Sequence, residues 1–215
     1  MLDILLSYVE PVVDGKPMLT VLSVALTGFV CVALYSAARK LTAALALILL
    51  VVTGAATLLI RDSLLATDLL VGSLALCLGM LVGQWIRSRT ALAIFVVTAA
   101  VGDLTSFFAG PTRSLIGGSA RALRYLAICM TLGNHVYAVV GIGDLVLLTA
   151  CSIAIRNCRY PEWAAFALPL SGILGALLLA LSVGPLPALP FLAAAVLGYQ
   201  YLAKEDAPRR ASTIG

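Results

Sequence analysis

Residues 90–108 read TALAIFVVTAAVGDLTSFF, a run broken only by small hydroxyls and one acid, Asp103. It holds no lysine or arginine. A helix needs about 20 predominantly apolar residues to cross a bilayer core, so the stretch predicts a membrane span. A carboxylate inside such a span costs at least ~2.5–3.5 kcal/mol on insertion scales, which makes Asp103 a functional candidate. Both the fold and the chemistry turn on this stretch.

Working outward, six further stretches have the same character. The expected spans are Met18–Ala38, Leu41–Ile60, Ser63–Ile86, Thr90–Phe108, His135–Ile155, Trp163–Val183 and Leu186–Leu202. Polar breaks separate them: Arg39-Lys40, Arg61-Asp62, Arg87-Ser88-Arg89, Gly110–Asn134, Arg156–Glu162 and Gly184-Pro185. Every lysine and arginine falls outside the seven spans. The expected fold class is all-α, a polytopic transmembrane helical bundle forming one integral-membrane domain over residues 1–215. Gly110–Asn134 mixes arginines with leucines and Tyr125, as suits an amphipathic segment at the headgroup level. Small residues inside the spans (Gly54, Gly79, Gly83, Gly172, Gly175) suit close helix packing in lipid. Trp85, Trp163 and His135 read as interface anchors.

Composition agrees. The chain is 62% hydrophobic and 11% charged, against roughly 45–50% and about 25% for a soluble domain. So few charges exclude an ordinary soluble enzyme and a disordered tail protein. A net charge of +4 without a basic block excludes a phosphate-driven nucleic-acid binder. The first 16 residues hold Asp3, Glu10 and Asp14, the wrong charge for a signal peptide. Five scattered cysteines and one histidine offer no C-x-x-C pair and no zinc spacing, so no metal or disulfide is expected. Placing the N-terminus outside leaves nine basic residues on the cytoplasmic side against five opposite, a lean toward N-out, C-in.

Three acids lie within spans: Asp68, Asp103 and Asp144. Asp68 is near its span's end and within reach of water. Asp103 lies seven residues before Gly110, and Asp144 nine residues after His135. At 1.5 Å per helical residue both would sit about 10–14 Å below one face. The segment Pro185–Pro190 begins on that face as well. Two carboxylates within a few Å in a low-dielectric site hold one proton between them. The ionised member then takes a proton from water while the protonated member polarises a carbonyl, which is metal-free peptide hydrolysis. Gly141 and Gly143 in Gly141-Ile142-Gly143-Asp144 permit close backbone approach. Pro185, Pro187 and Pro190 keep Pro187-Ala188-Leu189 irregular, leaving backbone groups for an extended substrate.

These residues carry a resemblance. Gly141-Ile142-Gly143-Asp144 is similar to the GxGD motif, and Pro187-Ala188-Leu189 to the PAL motif, of the presenilin and signal-peptide-peptidase class of intramembrane aspartyl proteases. Asp103-Leu104 followed by Gly110-Pro111-Thr112-Arg113 resembles that class's segment around its first aspartate, with Gly102 where the family has tyrosine. The resemblance covers roughly residues 90–202, and the seven spans correspond to the family's last seven. It implies a short, prokaryotic-like, multi-pass protease of the cytoplasmic membrane, with Asp103 and Asp144 catalytic. Gly141, Gly143, Pro187, Ala188 and Leu189 would bind substrate, either single-span membrane proteins or signal peptides. No cofactor, metal or nucleic acid is implied. The short Gly110–Asn134 connection implies no obligatory accessory subunits. Two other classes also place acids at mid-depth: a proton-coupled transporter or channel, and an inactive helix-binding member of the family.

Overall fold

The computed structural model describes residues 42–59, 64–109, 127–132, 135–183 and 186–211, with isolated positions 36 and 40. Within these the chain is predominantly helical. The helices are α1 (Ala43–Leu59), α2 (Leu64–Trp85), α3 (Arg89–Ala109), α4 (Ile142–Asn157), α5 (Glu162–Val183) and α6 (Leu189–Ala211). Between α3 and α4 lies an antiparallel hairpin, β1 (Ala127–Leu132) and β2 (His135–Gly141). Thr42 and Ser88 supply the caps of α1 and α3, their hydroxyls accepting the N–H groups of Leu45 and Ala91 at 3.3 and 3.1 Å.

α4 is the centre of the bundle. It packs most extensively on α2, then on α5 and α3, while α6 lies against both α5 and α3 and α1 covers α2. The α2–α4 seam is closest where glycine removes bulk. A Cβ on Gly79 would fall 2.5 Å from the Val146 carbonyl oxygen, and one on Gly83 would fall 2.7 Å from that of Ala150. This is the small-xxx-small spacing that lets two helices approach backbone to backbone. Asn157 fixes the end of the seam by donating from Nδ2 to the Gly83 carbonyl at 3.1 Å. Gly172 makes a similar close approach to Leu192 where α5 meets α6. The largest buried cluster joins Leu92 and Val96 of α3, Cys151 and Ile155 of α4, and Leu192 and Val196 of α6.

Helix limits agree with the expected spans to within about two residues for α1, α2, α3 and α5. The span Met18–Ala38 falls outside the described residues apart from position 36. The fifth span needs correction. His135–Gly141 is strand, and the helix begins only at Ile142 and runs to Asn157. Its sequence HVYAVVG is rich in β-branched and aromatic residues, and it pairs with Ala127–Leu132 through the register Leu132↔His135 to Ala127↔Gly141. An irregularity between Met130 and Thr131 leaves one extra residue on the β2 side. The hairpin departs from a purely α architecture. The amphipathic segment expected over Gly110–Asn134 contains β1, and its remaining residues lie outside the described ones. By length and composition one described helix, Arg89–Phe108, is long and apolar enough to cross a membrane. Four apolar helical stretches are shorter: Ala43–Ala56, Leu69–Trp85, Glu162–Ala176 and Leu189–Ala203.

Candidate functional site

Asp103 lies on α3, two turns before its end, with its side chain half-buried. It reaches across to α6, where Oδ2 accepts a hydrogen bond from the Leu189 N–H at 3.1 Å. The donor is available because Leu189 is the first residue of α6, and the first N–H groups of a helix have no intrahelical partner. Pro187 and Ala188 before it are irregular, and Pro190 follows within the first turn. Proline there gives up no useful donor. A carboxylate at a helix N-terminus also meets the positive end of the dipole. Asp103 thus caps a helix 86 residues away. The irregular stretch is Pro187-Ala188, shorter by one residue than expected, since Leu189 is already helical.

Asp144 is the third residue of α4, and Gly141 is its N-cap, in extended conformation at φ −63° and ψ 142°. The Asp144 carboxylate turns back to accept a hydrogen bond from the Gly141 N–H. This is the reciprocal half of a capping box, with the acid at N3 serving the cap's backbone. The turn back brings the carboxylate so close that a Cβ on Gly141 would lie 3.2 Å from Asp144 Oδ2. A side chain at Gly141 would therefore press on the Asp144 carboxylate, while the backbone angle itself suits any residue. Gly143 differs: it is exposed, and a Cβ there would meet nothing within 4 Å. Among the described residues, the space beside it is open.

The two carboxylates interact electrostatically, Asp144 sensing the charge of Asp103. Residues 103, 141–144 and 187–189 therefore gather at one end of the bundle, as the sequence predicts. The depth count behind that expectation does not survive. It treated residues 135–143 as helix, whereas residues 135–141 are strand and rise about 3.3 Å each. Asp144 sits in a first helical turn, and pairing with Asp103 comes from the fold of α3 against α4. Gly102 is exposed, and among the described residues no atom lies within 4 Å of a Cβ built there. The side chain of Asp68, the string Gly110–Arg113, Tyr125 and Pro185 lie outside what is described.

Two features of the site were not anticipated. The Leu189 N–H is the partner of Asp103, where the residue was expected only to dock substrate. The hairpin that delivers Asp144 was also missed, although Gly133-Asn134 between two β-prone runs is a hairpin signal. The outer edge of β2 has no strand partner among the described residues and runs without a linker into α4. Among the described residues no group of three or more His, Cys, Asp or Glu side chains stands together. Cys77, Cys151 and Cys158 are buried free thiols. Compared with protein families, with characterised proteins and with solved structures, the chain gives no match.

Proposed function

We propose that this chain is an intramembrane aspartyl protease of the presenilin and signal-peptide-peptidase type, a multi-pass bundle that hydrolyses peptide bonds within transmembrane helices or signal peptides. The observation that carries the reading is the bond from the Leu189 N–H to Asp103, with Asp144 near enough to sense the same carboxylate. It joins three sequence motifs, far apart in the chain, around one pair of acids. A multi-pass placement is supported by the outer surfaces, where Ile48, Val51, Ile94, Val101 and Leu178 are exposed on three different helices. Apolar surface spread so widely suits lipid as solvent.

The chemistry follows from two carboxylates sharing a proton. The ionised one removes a proton from water as the oxygen attacks the scissile carbonyl, and the protonated one donates to the carbonyl oxygen. Collapse of the tetrahedral intermediate returns a proton to the leaving amine, and the pair titrates as a unit. The outer edge of β2, unpaired among the described residues, and the irregular backbone at Pro187-Ala188 flank the acids and suit an unwound, extended substrate. The open side of Gly143 leaves room for its backbone.

The test is cleavage. The full chain in liposomes is incubated with a single-span substrate, beside the Asp103→Asn and Asp144→Asn variants. Cleavage by the parent and by neither variant supports the reading. A substrate left intact by the parent across pH and lipid composition sinks it, and proton-coupled flux lost in either variant would put a transporter in its place.

A further inference from the structure

The opposite end of the bundle carries a second cluster that proteolysis does not use. α3 begins there at Arg89, about 21 Å along the helix from Asp103 at 1.5 Å per residue. The Arg89 guanidinium lies over the ring of Tyr160, 4.7 Å from its centroid. Tyr160 meets Tyr199 edge to face at 5.5 Å, and Trp163 meets Tyr199 from another side at the same distance. Gln200 Nε2 donates to the Arg89 carbonyl at 3.4 Å. The start of α3, the turn between α4 and α5, and the middle of α6 therefore converge on one cationic, aromatic corner.

Three features of this corner are unexplained by packing. Arg89 stands at a helix N-terminus, where the dipole is already positive and a cation is disfavoured. Arg87 and Arg156 are different, because they follow or end α2 and α4 and complement the negative C-terminal ends. No carboxylate among the described residues pairs with Arg89. Second, Tyr160 is 7% exposed and its hydroxyl is enclosed without a hydrogen-bond partner, a deficit of roughly 1–3 kcal/mol. Third, Arg159 takes the left-handed conformation at φ 60°. It follows the C-cap of α4 in a Schellman-type turn, where Tyr160 N–H returns to the Ile155 carbonyl at 3.3 Å. Glycine ordinarily occupies that position, and a side chain there costs about 1–2 kcal/mol. An exposed arginine is held there instead.

We propose that this corner binds the phosphate of an anionic lipid headgroup. The Arg89 guanidinium and the N–H groups of Arg89 and Thr90, which the Ser88 cap leaves unused, face the phosphate, and the helix dipole adds to their attraction. Arg89 is exposed, so its side chain can swing from the Tyr160 ring to the phosphate, and the buried Tyr160 hydroxyl gains there the acceptor it lacks. Burial pushes the Tyr160 phenol above its ordinary range against the opposing pull of Arg89, so the hydroxyl keeps its proton at neutral pH and donates. Trp163, 59% exposed, lies beside the site as an amphipathic ring at the headgroup level. Occupancy ties α3 to α6 at the end opposite the Asp103–Leu189 bond. The inference rests on the membrane half of the proposed function and is independent of proteolysis.

The full chain is reconstituted in phosphatidylcholine alone and with phosphatidylglycerol, and thermal midpoint and retained lipid by native mass spectrometry are measured. The expected result is a higher midpoint and bound phosphatidylglycerol in the parent. Arg89→Gln should weaken binding roughly tenfold or more, the worth of one charge-assisted hydrogen bond. Tyr160→Phe should be as stable as the parent or more so in phosphatidylcholine, because it removes an unsatisfied hydroxyl, yet lose most of the phosphatidylglycerol gain. Equal gains in parent and both variants overturn the site. A gain in phosphatidylcholine from millimolar inorganic phosphate alone overturns the lipid as its ligand. Failure to float with neutral vesicles after a carbonate wash would instead overturn the membrane reading.

Discussion

Helix α3 is held against α6 at both ends, by contrary means. At one end a half-buried carboxylate takes a backbone N–H across 86 residues of sequence. At the other, an exposed guanidinium lies over a tyrosine and a glutamine amide reaches a backbone carbonyl at 3.4 Å. The first contact sets the position of one atom, beside a second carboxylate that is folded back on the Gly141 N–H. The second spreads over rings and long side chains that tolerate displacement. Under the proposed roles, chemistry that depends on tenths of an ångström would belong at the first end, and adhesion to a fluid partner at the second.

That contrast can be broken most sharply at the aspartates. Asp103→Asn and Asp144→Asn should each lower cleavage at least about 100-fold. Stability of Asp103→Asn should scarcely change, because the amide oxygen still accepts from Leu189. The parent's rate should rise and fall with pH around the singly protonated pair, and neither variant should show that bell. Next in size, Gly79→Leu and Gly83→Leu should each destabilise the bundle by about 1–3 kcal/mol in a thermal or denaturant melt, because the new side chain meets backbone oxygen. A melt unchanged by either would mean that the α2–α4 seam is looser than its geometry.

The two glycines before Asp144 sharpen the comparison within one end. Gly141→Ala places a methyl against Asp144 Oδ2 and should cut cleavage roughly tenfold with a normal melt, since small misplacements of reacting groups are costly. Gly143→Ala meets no atom and should stabilise α4 by up to about 1 kcal/mol. If its cleavage also falls, substrate backbone occupies the open side of Gly143. The smallest effect is expected from Gly102→Tyr at an exposed position where a Cβ meets no described atom within 4 Å, and its melt should stay within about 0.5 kcal/mol of the parent.

Much of this was legible in the chain because apolar runs and charged breaks alternate cleanly from Leu41 to Val183. Residues 135–141 were misjudged for a physical reason. An apolar run with valines, tyrosine and alanine satisfies lipid as a helix and a hairpin as a strand, and hydropathy does not separate them. The Gly141 and Gly143 pair looked equivalent in sequence, yet one is fixed by a carboxylate beside it and the other borders open space. That difference arises only when Asp144 folds back on its own cap. Asp103 and Leu189, like Arg89 and Tyr160, meet through tertiary packing, and no local pattern announces such pairs.

The strand β2 passes into α4 with no residue between them, and Asp144 follows within one helical turn. Such a junction has no hinge to absorb displacement, so it behaves mechanically as a lever with the carboxylate at its short arm. A chain that adds itself to the β2 edge would transmit its own strain to Asp144 directly. A poorly fitting segment would misalign the acid it needs, and selectivity among substrates would then be decided by stiffness as much as by side-chain recognition.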